Sequence, residues 1–581
     1  MPERSAAARA RSALARGALL EAYDILQQVA EHESGALDYL RVLTLARLGD
    51  TERALKLYDA YGLGARDDVD ALSLQARLLK DRGFASGAGG RDATLTEACK
   101  LYARVYRRTR DTYPAVNAAT LAWITGRTVL ARQLARTVLA NPTVQAASDY
   151  YGLATVAEAR IVLGDFAGAE AALAAALAAA DADAGKRSTT VLQLQRLEPT
   201  IPDRKAIAPL LAMIRPPSVA SYCGHIFLED AALEADLGKR IDAALKREDV
   251  GYAYGSLAAG SDILIAERLL ARGGELHVVL PVAEEDFLAQ SVIPAGGRWA
   301  ERYQACRAQA SSLTFSSTMS HVGGQGQFAY GAKVGMGMAR LRARHLNSRA
   351  VQVAVAETAG ATGTLTRSDI RAWQDTGGVS VIVEAQNIRR PVKPPGPAAV
   401  SDVGRGTHGL MFTDFPGFAR LDERVLPTFQ VEVMARAGVA LQRNAESIRY
   451  SNTWGDALYV VFDGALQAAQ TSLDLCEELT AIDTQALGVR EGATMRIALH
   501  FGPTYWGEDP VTGRTNYYGS EVSRAARIEP VTPPGSVYVT EPFAAVLEME
   551  AEHDFMCNYV GQVDLPKGYG TFPLYHLKHR G

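Results

Sequence analysis

Two aspartates in the C-terminal third of the chain have the surroundings of metal-binding carboxylates. Asp414 comes shortly after the apolar run GLMF, and Asp456 lies between Gly455 and the apolar run LYVVF. These patterns predict a buried strand that ends at Asp414 and a hairpin turn that carries Asp456 into a second strand. If the two strands are neighbours, both carboxylates lie at one end of a sheet. Hard divalent cations such as Mg²⁺ and Mn²⁺ prefer carboxylate ligands.

A third segment, YGSEVSRAARIE at residues 518–529, forms a pattern with FTDFPGF and TWGDALYVVF. In order and spacing the three segments resemble the class III nucleotidyl cyclase catalytic domain. The resemblance covers residues 404–581 and implies an α+β, ferredoxin-like fold. It also implies an enzyme, a phosphorus–oxygen lyase of adenylate cyclase type. Such an enzyme converts a nucleoside triphosphate, ATP by family precedent, to a 3′,5′-cyclic nucleotide and pyrophosphate.

The resemblance assigns catalytic and metal-binding roles to four residues. It implies that Asp414 and Asp456 hold two Mg²⁺ or Mn²⁺ ions per site. Arg527 is expected to stabilise the charge that develops on the phosphate, a task that suits a fixed guanidinium. Ser523 stands where the family has an asparagine that orients the ribose. Because class III domains act as head-to-tail homodimers, the aspartates of one chain are expected to meet Arg527 and Ser523 of its partner.

Five further residues are expected to bind the substrate. Asn452 and Asn516 stand at the two positions by which the family selects the base, and an asparagine side chain both donates and accepts hydrogen bonds. Lys567 matches a family lysine that contacts the terminal phosphates. Phe415 and Gly417 follow the first aspartate and belong to the same substrate-binding set.

Departures from the family pattern leave alternatives open. Ser523, Asn452 and Asn516 differ from the usual residues, which favours a catalytically weak or inactive domain that binds nucleotide within a signalling scaffold. The same asparagines leave GTP or a pyrimidine triphosphate open as the substrate. A third reading places an enzyme, a nucleotide glycosidase of the LOG type, in the middle of the chain, where no clear acid and base pair is found.

Composition sets the broad class of the protein. The chain has 581 residues, a formal net charge of −4 and five scattered cysteines. The charge does not favour nucleic-acid binding, and the scattered cysteines indicate neither a zinc site nor a disulfide framework. No window of 18 residues is apolar throughout, so no membrane span is predicted. We therefore expect a cytoplasmic protein with no membrane or nucleic-acid partner.

Residues 1–212 are predicted to be helical repeats. Gly49, Gly83, Gly126 and Gly164 are predicted to lie between helices and are separated by 34, 43 and 38 residues. Tetratricopeptide repeats, which this region resembles, have a period of about 34 residues. Such an array presents a concave surface, so we expect a protein partner there.

Residues 213–386 alternate strand and helix and predict a doubly wound, Rossmann-like α/β domain. The loop at 256–262 precedes a helix, where such sheets bind phosphates, and a glycine cluster at 321–326 is expected to face the same pocket. The domain is distantly similar to the SLOG group, which implies that it senses a nucleotide-like ligand. A proline-rich linker at 387–403 then leads to the cyclase-like domain, which the preceding domains are expected to regulate.

Overall fold

The chain forms two compact units. A computed structural model describes residues 5–30, 34–357, 365–392, 403–480, 482, 494–551 and 553–580. The first unit comprises residues 1–216 with 344–348, and the second comprises residues 217–343 with 349–580. The predicted α/β and cyclase-like domains therefore belong to one unit. Most of the predicted linker, residues 393–402, lies outside the described residues.

The first unit is built from α-helices that pack successively against one another. Buried alanines such as Ala118 and Ala119 allow close contact between neighbouring helices. The helices are α1 (Ala6–Ala15), α2 (Leu19–Gln27), α3 (Gly35–Leu48), α4 (Thr51–Ala60), α5 (Val69–Ala85), α6 (Ala88–Thr109), α7 (Thr112–Ile124), α8 (Thr128–Leu139), α9 (Pro142–Gln145), α10 (Tyr150–Leu163), α11 (Phe166–Ala178), α12 (Ala184–Leu197) and α13 (Arg204–Ile214).

Three of the four predicted turn glycines lie at helix ends. Gly49, Gly126 and Gly164 have φ angles of 86°, 76° and 85°, a left-handed conformation that suits glycine. The prediction for Gly83 was wrong, because this residue lies inside α5. A Cβ there would lie 2.7 Å from the Leu95 side chain, so Gly83 instead lets α5 and α6 pack closely.

The middle of the chain folds as the predicted parallel sheet. Its strands run in the order β4-β3-β2-β1-β5-β6, and every neighbouring pair is parallel. The strands are β1 (Ser218–Gly224), β2 (Val250–Gly255), β3 (Glu275–Leu280), β4 (Ser312–Phe315), β5 (Ala350–Glu357) and β6 (Val379–Ala385). The helices are α14 (Ala231–Arg247), α15 (Ser261–Ala271), α16 (Glu284–Ser291), α17 (Trp299–Gln309), α18 (Gly326–His345) and α19 (Leu365–Gln374).

The C-terminal domain is a mixed sheet with helices. Its strand order is β13-β14-β12-β10-β7-β9-β8, and β11 pairs with β10. The strands are β7 (Gly404–Asp414), β8 (Ile448–Trp454), β9 (Ala457–Phe462), β10 (Arg496–Glu508), β11 (Thr515–Tyr518), β12 (Val537–Thr540), β13 (Phe555–Leu565) and β14 (Gly570–His579). The helices are α20 (Leu426–Phe429), α21 (Ala435–Arg443), α22 (Ala465–Thr480), α23 (Ser520–Ile528) and α24 (Glu541–Glu550), and a π-helical turn (Gln430–Met434) joins the first two.

Helix α18 of the α/β domain packs directly on the C-terminal domain. The Tyr330 hydroxyl donates a hydrogen bond of 2.6 Å to the backbone carbonyl of Phe501. Gly337 faces the backbone of Ala545 in α24 so closely that a Cβ on Gly337 would lie 1.9 Å from that carbonyl oxygen. This glycine is therefore required for the contact between the two domains.

Among the described residues, no helix combines the length and the apolar character needed to cross a lipid bilayer.

We predict that Gly337→Ala lowers the stability of the second unit. The added methyl group meets a backbone carbonyl that cannot rotate away, and overpacking of this kind costs about 1–3 kcal/mol. The midpoint of urea unfolding, followed by circular dichroism, is expected to fall. Gly335→Ala is the matched control in the same helix, because a Cβ there has its nearest neighbour, a Val279 side-chain atom, at 3.8 Å. An unchanged midpoint for Gly337→Ala would contradict the described packing.

Candidate active site

The fold brings the two predicted metal-binding aspartates together. Asp414 is the last residue of β7, and Asp456 lies in the turn that joins β8 to β9. Strands β7 and β9 are neighbours, and Thr413 pairs with Leu458, so the strand end and the hairpin turn lie side by side. The backbone amide of Phe415 donates a hydrogen bond of 3.1 Å to Oδ2 of Asp456. The predicted adjacency of the two carboxylates is therefore confirmed.

The charge environment of this pair fits a divalent cation. Burial raises the pKa of Asp456, and the carboxylate of Asp414 raises it further. Two carboxylates at close range repel each other, and a bound cation relieves that repulsion. Among the described residues, no group of three or more histidine, cysteine, aspartate or glutamate side chains converges on a metal position. The protein therefore offers two carboxylates, and substrate phosphates and water would complete the ligand sets.

An arginine and a glutamate that the sequence analysis missed adjoin this pair. Arg496, the first residue of β10, lies opposite Asp414 in the sheet and forms an ion pair with it. Its Nε lies 2.7 Å from Oε1 of Glu529. Burial raises the pKa of Glu529 to about 7 against the opposing effect of Arg496, and Asp414 and Asp456 add to the rise. A charged residue at the start of the apolar run IAL was the available signal for Arg496.

Helix α23 presents Ser523 and Arg527 on one face. The two residues are four apart, so they lie one turn from each other. Ser523 is exposed and Arg527 is half-buried, and Arg527 forms no ion pair with any described residue. Neither of them forms a hydrogen bond or ion pair with Asp414 or Asp456 among the described residues of the same chain. The helix thus offers an unpaired guanidinium that is available to a bound anion or a second chain.

The opposite face of α23 is tied to the α/β domain. Glu521 is fully buried, and its carboxylate accepts a hydrogen bond of 2.7 Å from the hydroxyl of Ser317, which follows β4. The same carboxylate lies 2.9 Å from Nε2 of His500 and 3.0 Å from Nη1 of Arg524. Arg524 also donates a hydrogen bond of 3.3 Å to the Thr318 hydroxyl. These cationic and hydrogen-bonding partners hold the pKa of Glu521 below its usual value despite its burial.

The two predicted base-selecting asparagines lie on neighbouring hairpins. Asn452 is in β8 and Asn516 is in β11, and the rings of nearby Tyr450 and Tyr517 lie 6.1 Å apart. Oδ1 of Asn452 accepts a hydrogen bond of 2.9 Å from the amide of the following residue. Asn516 is engaged at both ends, since its Oδ1 accepts from the Tyr517 amide and its Nδ2 donates to Asp509 at 3.3 Å. A base would have to compete with these contacts.

The other three residues predicted to bind the substrate are Phe415, Gly417 and Lys567, and they differ in which of their groups a ligand could reach. The Phe415 side chain is buried edge-to-face against Phe429, at 5.1 Å between ring centroids, so only the backbone of Phe415 is available to a ligand. Gly417 has a φ of 94°, a left-handed conformation that lets the chain turn after Asp414. Lys567 lies in the turn between β13 and β14 with an exposed side chain, and its ammonium group forms no ion pair with any described residue.

Comparisons with known proteins agree with this domain assignment. Residues 404–579 match the family model described as adenylate and guanylate cyclase catalytic domain, and residues 18–122 match the model described as tetratricopeptide repeats-sensor. The C-terminal domain is thus a class III cyclase catalytic domain, and the helical region contains tetratricopeptide-type repeats. The likeness of the middle domain to SLOG proteins stays a prediction.

Three solved structures to which the chain is similar are cyclases. The adenylyl cyclase CyaB from P. aeruginosa is 18% identical, with 30% of this chain and 95% of that chain covered and a TM-score of 0.27. The guanylate cyclase domain of RhGC from Catenaria anguillulae, in complex with GTP, is 20% identical, with 30% and 97% covered and a TM-score of 0.26. Adenylate cyclases from Trypanosoma brucei are 20% identical, with 30% and 88% covered and a TM-score of 0.26.

Two curated relatives come from Acanthamoeba polyphaga mimivirus, and both are described as serine/threonine-protein kinase/receptor. One is 34% identical over 89 residues and the other is 32% identical over 87 residues. Each match covers 15% of this chain and 5% of the relative. The chain therefore spans only a small part of the length of these relatives.

We predict that Mn²⁺ binding requires both aspartates and weakens as the pH falls, starting at a higher pH than for an ordinary aspartate site. The raised pKa of Asp456 means that protons compete with the metal at a higher pH than for an ordinary aspartate. Electron paramagnetic resonance of free Mn²⁺ measures the affinity without any catalytic turnover. Asp414→Asn and Asp456→Asn should each weaken it by at least about tenfold.

Asp463→Asn is the control for this measurement, because its carboxylate pairs with Arg449 on the protein surface. Equal Mn²⁺ affinity in all four proteins would show that the paired aspartates do not hold the metal.

Proposed function

We propose that the chain is a class III nucleotidyl cyclase that converts a nucleoside triphosphate, ATP by family precedent, to a 3′,5′-cyclic nucleotide and pyrophosphate. The observation that carries the proposal is the pairing of Asp414 and Asp456 at one end of the sheet, inside a domain that matches the cyclase family model. Each site would form between two copies of the chain, and Mg²⁺ or Mn²⁺ would bind to the paired carboxylates.

In this proposal the chain positions its substrate for an in-line displacement. The ribose 3′-hydroxyl passes its proton to solvent water, and its oxygen forms a bond to the α-phosphorus while the bond from that phosphorus to the bridging oxygen of pyrophosphate breaks. Bound divalent cations supply charge neutralisation and lower the pKa of the 3′-hydroxyl. Asp414 and Asp456 hold these ions in place. A half-buried, unpaired Arg527 from the second copy supports the extra negative charge at the α-phosphate.

The position of Ser523 and Arg527 on α23 supports an active site that is shared between two copies of the chain. Arg527 and Ser523 form no hydrogen bond or ion pair with the aspartates among the described residues of their own chain, so a second copy would complete the constellation. Ser523 carries a hydroxyl where the family has an amide, and a hydroxyl still donates and accepts one hydrogen bond to a ribose. A shorter side chain reaches less far, which favours slow turnover.

A second candidate, nucleotide binding without turnover, is favoured by one observation. Both ends of the Asn516 side chain are already engaged within the chain, so this residue is not poised to read a base. GTP and pyrimidine triphosphates stay alternatives for the same reason. The identity of any cyclic product separates these outcomes.

Regulation by the α/β domain would act through α23. The buried bond from Ser317 to Glu521 and the bond from Arg524 to Thr318 join that domain to the helix that carries Ser523 and Arg527. A shift of the loop after β4 would therefore change the position of the catalytic guanidinium. Helix α23 contacts both domains, so it is the element through which coupling between them would run.

Mixing two inactive variants tests the shared site. Asp456→Ala and Arg527→Ala should each lower cyclic nucleotide formation by more than about a hundredfold. In an equal mixture half of the dimers are mixed, and each mixed dimer has one intact site of two. The mixture should therefore recover about a quarter of the wild-type rate.

Asp456→Ala mixed with Asp414→Ala is the matched control, because both changes remove the same half of the site, and this mixture should stay inactive. A test mixture that stays as inactive as the control, although the two variants have exchanged subunits, would contradict the shared arrangement.

Ser317→Ala tests the coupling between the domains. Loss of the hydroxyl removes one hydrogen bond from a fully buried carboxylate, which costs about 1–3 kcal/mol. We expect a several-fold change in the rate of cyclic nucleotide formation with the dimer intact. Ser311→Ala makes the same chemical change at an exposed position in the same domain and should leave the rate unchanged. Identical rates for Ser317→Ala and the wild type would remove the support for this route.

A further inference from the structure

A cavity of about 510 Å³ lies at the edge of the α/β sheet where the strand order reverses between β1 and β5. Open parallel sheets bind their ligands at this position, and the volume suits a small molecule. The cavity is lined by Gly224 at the end of β1, by His225 just after it, by Ser256 after β2, and by Phe328 and Met336 of α18. It is separate from the paired aspartates of the cyclase domain.

The loop after β2 lies directly before a helix, a position that predicts a phosphate-binding site. Its hydrogen bonds, however, do not suit a phosphate. Three of its amides already donate to acceptors within the protein. The Ala258 amide donates to Oδ2 of Asp262 at 3.4 Å, and the Ala259 amide donates to the Ser291 carbonyl at 2.9 Å. The Ser261 amide donates to the His225 carbonyl at 3.2 Å. The loop therefore holds a carboxyl group at the cavity, where a phosphate-binding loop would present free amides.

Two buried carboxyl groups line the cavity. Asp262 at the start of α15 is 5% exposed, and its Oδ1 is buried without a hydrogen-bond partner among the described residues. The Gly224 amide is close enough to favour the ionised form, although it does not meet hydrogen-bond geometry. Asp369 of α19 is 7% exposed. Burial raises the pKa of Asp262 to about 7, and burial together with the Asp262 carboxyl raises that of Asp369 to about 8.

The other polar groups of the cavity add no positive charge for an anion. Among the described lining residues, Arg390 is the only arginine or lysine, and its guanidinium pairs with Glu357 at 2.6 Å. Burial lowers the pKa of His225, which keeps its imidazole neutral. Nδ1 of His321, another lining residue, is also buried without a partner. A phosphorylated ligand would thus meet carboxyl groups and no free cation.

The charge and shape of the cavity therefore select a ligand that donates hydrogen bonds. The aromatic and thioether walls accept a flat apolar body, and the orphaned Asp262 oxygen requires a donor from the ligand. We propose that this cavity binds an uncharged small molecule of nucleoside size that presents adjacent N–H or O–H donors to Asp262 and Asp369. A nucleobase edge and a ribose diol both have this chemistry. The binding does not depend on the proposed cyclase activity.

Calorimetric titration of the full chain with adenosine, guanosine and cytidine tests the proposal. At least one nucleoside should bind, and its 5′-monophosphate should bind at least tenfold more weakly. The 2′-deoxynucleoside separates the two sources of donors, because loss of binding assigns the contact to the diol and retained binding assigns it to the base. The proposal is overturned if no nucleoside binds or if the monophosphate binds more tightly.

Variants of the cavity place the binding in this domain. Asp369→Leu should weaken the nucleoside affinity at least tenfold, while Asp375→Leu, an exposed position just beyond the same helix, should leave it unchanged. Gly335→Leu fills the cavity without changing either carboxyl group and should also abolish nucleoside binding. It is the replacement test if Asp369→Leu does not fold. Unchanged affinity in Gly335→Leu would sink the proposal, because the nucleoside would then occupy another site.

Discussion

The repulsion between two carboxylates held at one end of a sheet is the constraint on which the C-terminal domain depends. Asp414 ends a central strand, and Asp456 lies in a hairpin turn beside it, where the Phe415 amide donates a hydrogen bond to its carboxylate. Arg496 forms ion pairs with Asp414 and with Glu529 beside it, and a bound cation would relieve the remaining repulsion. The chemistry proposed for the domain follows from this arrangement, because an in-line displacement at phosphate needs positive charge at a fixed position.

Helix α23 extends this constraint to the rest of the second unit. It carries the half-buried Arg527, which forms no ion pair within the described part of the chain, and the buried Glu521, which is held by His500, Arg524 and the Ser317 hydroxyl. Because Ser317 belongs to the α/β domain, a shift of α23 would disturb a buried hydrogen bond to that domain. Helix α18 lines the cavity of the α/β domain and also contacts the C-terminal domain through Tyr330 and Gly337. A ligand in the cavity and a substrate at the proposed active site would therefore both act on connected elements.

Local patterns were enough to predict the elements that form the site. An apolar strand that ends at Asp414 and a Gly-Asp turn before LYVVF are each readable within about ten residues. The role of Arg496 was not readable in this way, since it depends on the register that places β10 opposite β7. Gly83 misled the repeat prediction, because a glycine that permits helix packing looks like one that ends a helix. The hydrogen bonds of the Ala259 and Ser261 amides in the loop before α15 could not be predicted, because their acceptors, Ser291 and His225, are distant in sequence.

The most direct test of the central claim is product analysis by mass spectrometry. The purified chain is incubated with ATP, GTP, CTP and UTP separately, with Mn²⁺ present, alongside Asp456→Ala. A cyclic nucleotide and an equal amount of pyrophosphate from the wild type, absent from the variant, is the predicted result. Failure of an intact dimer to form a cyclic product from any of the four triphosphates would contradict the account and favour a nucleotide-binding signalling protein.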